Sequence, residues 1–403
     1  HDFISLSQLQ FDWVLERDGK SVMTGRLPKL NVAAGERMRH KLSLPALGGQ
    51  GGEYFLTVNA RATDDYHVLV EKNHRVAWEQ FSLTNSLVAK TAVPLAGSSE
   101  GIEFKEFATN YIIQSKKVAI SVNKDTGYID SWLVDRQELL RSPIRPNFWR
   151  GLTDNELGAK LNERLGFWRT LADKSVLEGL EIVQVSDTEI SLLSRHIFDG
   201  KLAQTLRYRF FGSGDLVVEN NLLPLIDDLP EFFRVGLTFT MPEEFNSTRW
   251  FGRGPHESYV DRKYSAAIGE YSGDVADQYH AYVRPQETGN KTDVRWALVE
   301  NDDGVGVAVI GMPLLNISTF PFANEALDYH EGVRRHGADL GPNGLTTVNI
   351  DSEHMGLGGD DSWGARPLDQ YLLPAKPMTQ MFRLRAYSQD DLPSDFLRRP
   401  VRQ

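Results

Sequence analysis

Two segments of this 403-residue chain pack glycine, aromatic and polar residues more densely than a fold alone requires. The first runs Arg249-Trp-Phe-Gly-Arg-Gly-Pro-His256-Glu257-Ser-Tyr-Val-Asp-Arg-Lys263, the second His354-Met-Gly-Leu-Gly-Gly-Asp360-Asp361-Ser-Trp363-Gly364. Glycine frees the backbone for unusual φ/ψ and close approach, so such a composition suits an irregular loop that holds an aromatic in place. An exposed tryptophan beside carboxylates and hydroxyls is the chemistry of sugar binding, in which C–H faces stack on the indole while hydroxyls are hydrogen-bonded. Composition alone leaves sugar binding and plain loop packing both open.

Other clusters carry less. Asp360 and Asp361 are adjacent, so on a strand they would point to opposite faces, and a turn or sheet-edge role suits them. His330, Glu331 and His336 loosely suggest a metal helix, but histidines six apart do not share a helical face, and flanking glycines make a solvated turn the better reading. Asn301-Asp302-Asp303-Gly304 sits between two strand-like runs and reads as a hairpin turn. With no cysteine there is no disulfide, no thiol nucleophile and no Cys-ligated metal. No metal site is expected, and among the 55 Asp and Glu residues no acid/base pair can be nominated, because such a pair is defined by its separation in space.

The elements that must position these loops are mostly strands. Thirty-four glycines and 18 prolines punctuate short segments of period-two alternation. Phe11, Trp13 and Leu15 share a face before an Arg17-Asp18-Gly19-Lys20 hairpin turn; with Tyr54, Leu56 and Val58, and with Val76, Trp78 and Phe81, they predict a small β-sandwich over residues 1–88. Residues 89–101 lose alternation and read as a linker. Beyond it, strands are expected at Val118–Val122, Ile190–Leu192, Leu202–Phe210, Phe233–Met241, Val305–Ile310, Thr346–Ile350 and Met381–Tyr387. Phe233–Met241 alternates with Arg234, Gly236, Thr238 and Thr240 as a strand with one solvated face would. One helix is expected at Asn155–Leu171, with Leu157, Leu161, Leu165 and Trp168 on a stripe and Thr153 or Asp154 as cap. The fold class is all-β: a small sandwich, then one large antiparallel sandwich over 102–403. A formal charge of −11 disfavours nucleic acid and anionic membranes as partners, and the longest apolar run, Val305–Leu315, is too short to span a bilayer. The chain opens at His1 without an initiator methionine, which reads as a piece of something longer, and the compartment, cytoplasm or periplasm, stays open.

These motifs resemble a known family. Gly252–Arg262 is similar to the G-x-G-P-x-E-N-Y-x-D-R segment, and Met355–Trp363 to the M-G-x-G-G-D-x-S-W segment, of the large bacterial β-galactosidases of glycoside hydrolase family 2. Trp78–Phe81 with Leu83, Gly127–Ile129, Arg145–Arg150 followed by Thr153–Asn155, and Tyr282–Asn290 fit in the same order. His256, Ser258 and Val260 depart from the common glutamine, asparagine and proline. The resemblance implies an immunoglobulin-like domain at 1–88 and a super-sandwich, of a fold shared with galactose mutarotases, at 102–403. It implies that the catalytic glutamates of the retaining mechanism, and a magnesium ion, belong to a barrel outside this chain, so no catalytic residue and no cofactor is expected here. The implied partners are that barrel, a galactoside such as lactose at the pocket rim, and further copies in a homo-oligomer. Trp363 matches the family's tryptophan that stacks on the sugar; His354, Asp361, His256 and Glu257 are weaker substrate-binding candidates. The competing reading is a stand-alone carbohydrate-binding or mutarotase-like module, with His256 and Glu257 as acid and base.

Overall fold

Alternation of apolar and polar residues builds the first sheet. The structure, a computed structural model, describes residues 1–47, 52–84, 101–330, 332–333, 335–361, 364–391 and 393–397. The chain divides into two units, His1–Ala89 with Ala267–Glu270, and Lys90–Ala266 with Tyr271–Gln403. In the first, strands Lys20–Arg26, Leu9–Arg17, Tyr54–Ala62 and Arg75–Ser82 lie side by side in that order, all antiparallel. Asp18 and Gly19, both at positive φ (51° and 79°), make the expected hairpin turn, and Arg17 pairs with Lys20 across it. Trp13, Leu15, Tyr54 and Leu56 form the core. The opposing layer comes from the irregular segment carrying Leu27, Leu42 and Leu44. Val76 and Phe81, on the edge strand Arg75–Ser82, are exposed rather than part of that core. The predicted linker, apart from Gly101, lies outside the described residues.

The second unit is a sandwich of two sheets. A five-stranded meander runs through Glu103–Glu106, Asn110–Gln114, Val118–Asn123, Ile129–Val134 and Gln137–Glu138. A twelve-stranded sheet faces it. Along its main path lie Arg145–Asn147, Arg234–Pro242, Leu345–His354, Gly306–Phe320, Met378–Tyr387, Asp215–Pro224, Leu202–Phe211, Glu189–Phe198 and Ser175–Val185. Ile120, Trp132 and Val134 from the small sheet meet Leu192, Tyr208, Phe239, Val309, Val348 and Leu384 from the large one in a single core. The apolar run at Val305–Leu315 falls almost entirely in the strand Gly306–Phe320, and no helix of the described residues is long and apolar enough to cross a membrane.

Two expectations are corrected. The strand Arg234–Pro242 lacks the expected solvated face over most of its length: Arg234, Gly236 and Thr238 are buried, because Asp351 and Asn324 cover that side with polar partners, and Thr240 is half-buried. The segment Asn155–Leu171 is three short helices, Asp154–Gly158, Leu161–Arg164 and Trp168–Leu171, interrupted where Lys160 takes φ 57°. The stripe survives the interruption, since Leu161, Leu165, Trp168 and Leu171 pack together against Phe148, Phe232 and Phe233. Asn301–Gly304 is the expected hairpin turn; the Asn301 side chain accepts from the Asp303 and Val305 amides, at 3.1 and 3.0 Å.

Candidate functional site: a glycine loop on buried ion pairs

Residues far apart in sequence converge on the loop that follows strand Leu345–His354. Thr153 and Glu156 form a capping box: the Glu156 carboxylate accepts from the Thr153 amide at 2.8 Å, and the Thr153 hydroxyl accepts from the Glu156 amide at 3.4 Å. The same carboxylate takes both guanidinium branches of buried Arg150, at 2.7 and 3.3 Å, and Arg150 also donates to the Gly356 carbonyl at 3.3 Å. From the other motif, Asp261 accepts from the Gly358 amide at 2.8 Å and Arg262 donates to the Gly358 carbonyl. The Asn155 amide group donates to the Asp361 carbonyl at 2.9 Å. Gly358 and Gly359 adopt φ 65° and 98°, a region that glycine occupies without penalty. A Cβ on Gly356 would lie 2.7 Å from the Asp261 carboxylate, so the glycine is what lets the loop close on its anchor.

Beneath the loop lies a buried polar layer. Arg234 forms a two-pronged ion pair with Asp351, and both are buried. Glu287 accepts from the Tyr259 hydroxyl at 3.1 Å and lies 3.6 Å from His354 Nε2. Burial alone would push the Glu287 carboxyl up, but the His354 ring, Arg234 and Arg150 outweigh it and hold it down at about 2. His354 Nδ1 lies 3.0 Å from the Met355 carbonyl, which only accepts, so Nδ1 is the donor of that contact, while Nε2 lies on the Glu287 side. The charged neighbours of Glu287 thus favour the ionised form of its carboxylate.

Of the residues singled out in the sequence, Trp363 lies outside the described residues, as do Ser362 and Glu331. Asp361 is exposed on the loop, its carboxylate accepting from the Ala365 amide at 3.1 Å. His354 sits under the loop, 5 % exposed, where it braces the backbone. His336 faces the Val283 carbonyl at 3.3 Å, and no group of three or more metal-ligating side chains occurs among the described residues. His256 and Glu257 follow the Gly254–Pro255 peptide on an irregular stretch and line one cavity of about 340 Å³. His256 is exposed, its Nε2 3.0 Å from the Ser265 hydroxyl. Glu257 is taken up by Tyr282, by the Thr288 hydroxyl at 3.0 Å and by the Gly289 amide at 2.7 Å. Sequence reasoning passed over Lys291, Tyr282 and Glu287. Lys291 carries no local signal, whereas Glu287 and Tyr282 stood in a quoted motif whose purpose only the contacts reveal.

The molecule is thus an all-β sandwich protein with a glycine-rich loop held in shape by buried ion pairs. Comparison with known proteins makes this specific. The family described as β-galactosidase small chain matches residues 114–384, and that described as β-galactosidase, domain 4, matches residues 1–84. The chain belongs to the β-galactosidase small chain family. A β-galactosidase of Priestia megaterium is 32 % identical over 96 % of this chain and 37 % of its own length. One from Vibrio cholerae is 29 % identical over 88 % and 34 %, and one from Pseudoalteromonas haloplanktis 28 % over 90 % and 35 %. The chain therefore spans about a third of the length of the relatives it matches. Among solved structures, a galactose mutarotase related enzyme from Lactobacillus acidophilus aligns over 70 % of this chain and 98 % of its own, at 11 % identity and a TM-score of 0.39.

Proposed function

We propose that this chain is the non-catalytic C-terminal part of a β-galactosidase that hydrolyses terminal β-D-galactosides, such as lactose, with retention. Its loop Met355–Asp361, continuing to Trp363, forms one wall of the galactoside pocket, and its two units support a catalytic barrel carried outside these residues. The nucleophile, the acid/base carboxyl and a magnesium ion belong to that barrel, and the intact enzyme is a homo-oligomer.

The observation that carries this reading is the convergence on one loop. Side chains from Arg145–Arg150, Thr153–Asn155, Gly252–Arg262 and Tyr282–Asn290 all brace Met355–Asp361 or the buried layer beneath it. A segment ordered at the expense of several buried charges has a shape that matters, and preorganised walls of this kind orient a sugar without reacting with it.

Two measurements test the proposal. The chain alone, assayed on a chromogenic β-galactoside, is expected to give no turnover; robust turnover abolished by changing one of its own carboxylates would sink the reading. In the intact enzyme, Trp363→Ala removes a stacking face worth about 1–3 kcal/mol, so KM for lactose rises by roughly 5- to 150-fold. An unaltered KM would make Trp363 scaffold only.

A further inference from the structure

The cavity of about 340 Å³ bounded by Glu257, Tyr279, His280, Tyr282 and Lys291 belongs to none of the loop contacts described above. Lys291 is its most unusual wall. It is 4 % exposed, yet among the described residues its ammonium has one hydrogen-bond acceptor, the Gly289 carbonyl at 3.0 Å, and otherwise lies over the Trp250 ring at 5.2 Å from the centroid. An ammonium carries three N–H donors, and a buried cation with a single acceptor is costly. Consistent with that cost, burial lowers the Lys291 pKa to about 8, against an opposing pull from Glu257. The Glu257 carboxylate, also on the lining, is held by Tyr282, Thr288 and Gly289.

The charges of this wall decide what fits. Glu257, with Asp277 also on the lining, disfavours an anion, while Lys291 disfavours a cation. What remains is a neutral ligand that both donates and accepts hydrogen bonds. Three aromatic side chains on the lining, Tyr279, His280 and Tyr282, suit a ring that presents C–H groups between its hydroxyls. The volume sits at the small end of the range for ligand sites, about 300–1,000 Å³, which limits the occupant to a single small ring.

We infer that this cavity is a second binding site, separate from the Met355–Asp361 loop, for a neutral polyhydroxylated ring the size of one monosaccharide, with Lys291 donating to it and Glu257 accepting from it. This inference does not rest on the proposed function, since it requires only the second unit and no catalytic partner.

The test is calorimetric titration of the full chain with D-galactose and with myo-inositol, with inorganic phosphate as the anionic probe. Saturable binding of either polyol is expected. Lys291→Met should weaken it about tenfold, the loss of roughly one hydrogen bond to a charged group, and Tyr282→Phe should weaken it by releasing the Glu257 carboxylate that Tyr282 holds, while Trp363→Ala leaves it unchanged. Near-UV circular dichroism confirms that each variant is folded, and Tyr282→Phe, which removes one hydroxyl only, stands if Lys291→Met does not fold. The inference is overturned if neither polyol binds saturably, if binding survives both cavity variants at full strength, or if phosphate binds more tightly than either polyol. Loss of binding in Trp363→Ala alone would also overturn it, assigning the polyol to the loop instead.

Discussion

Glu287→Gln is the sharpest probe of the buried layer under the loop. The substitution keeps shape and volume but removes the negative charge that faces His354 and interacts with Arg234 and Arg150. Depression of this carboxyl from the ordinary 4.5 to about 2 corresponds to roughly 3 kcal/mol of stabilisation. Leaving buried cations without their partner typically costs about 3–5 kcal/mol, so the two routes to the magnitude agree. At about 2 °C per kcal/mol for a unit of this size, Tm at neutral pH should fall by about 6–10 °C. The pH dependence carries its own sign. Because the folded-state pKa lies below the unfolded one, the stabilisation is complete above 4.5 and is lost as pH falls through about 2. The wild-type chain loses it on acidification and the variant has none to lose, so the gap in Tm should narrow steadily from pH 5 downward. Thermal unfolding followed by circular dichroism from neutral to acid pH checks both points. Equal Tm values at pH 7, or a gap of the same size at pH 7 and pH 3, would refute the assignment of Glu287 as the ionised keystone of this layer.

Gly356→Ala should destabilise the loop by about 1–3 kcal/mol, since the new methyl group meets the Asp261 carboxylate at 2.7 Å and Tyr371 Cβ at 3.0 Å; a Tm unchanged from wild type would show that the loop gives way freely. Lys291→Met should raise Tm at pH 7 by an amount equivalent to roughly 1–3 kcal/mol, because the buried ammonium is replaced by an apolar chain of similar shape. Here the folded-state pKa, about 8, again lies below the ordinary 10.5, so the cost of the charge is present below 8 and disappears as pH rises toward 10.5. The advantage of the variant should therefore shrink over that interval, and an advantage independent of pH would exclude the charge as its source.

How much of this was legible beforehand differs from element to element. The hairpin at Asp18-Gly19, the turn at Asn301–Gly304 and the apolar stripe of Leu161, Leu165 and Trp168 all follow from local chemistry: glycine or asparagine where the backbone turns, and leucine repeating at helical intervals. The Arg150–Glu156 pair is nearly as local, because a capping box places its glutamate one turn into a helix six residues on. The helix itself broke at Lys160, which takes φ 57°, while the leucines on either side of the break kept their common packing.

Strand Arg234–Pro242 shows where such reading stops. Its alternation correctly separates two faces, but period two says only which residues share a face and nothing about what covers it. The partner of Arg234 is Asp351, 117 positions later, on a strand that becomes its neighbour through the order of the large sheet. Asp261 and Gly358, 97 apart, meet through loops rather than paired strands, and Glu257 and Lys291 line one cavity. Sequence by itself determined an all-β chain, its turns, its motifs and their family. The tertiary structure alone decided that those motifs form one braced loop, that His354 lies beneath it, and that a buried lysine and a carboxylate line one cavity. Hydrogen-bonded strand order is set by long-range packing, and that packing, unlike alternation, leaves no local trace in the chain.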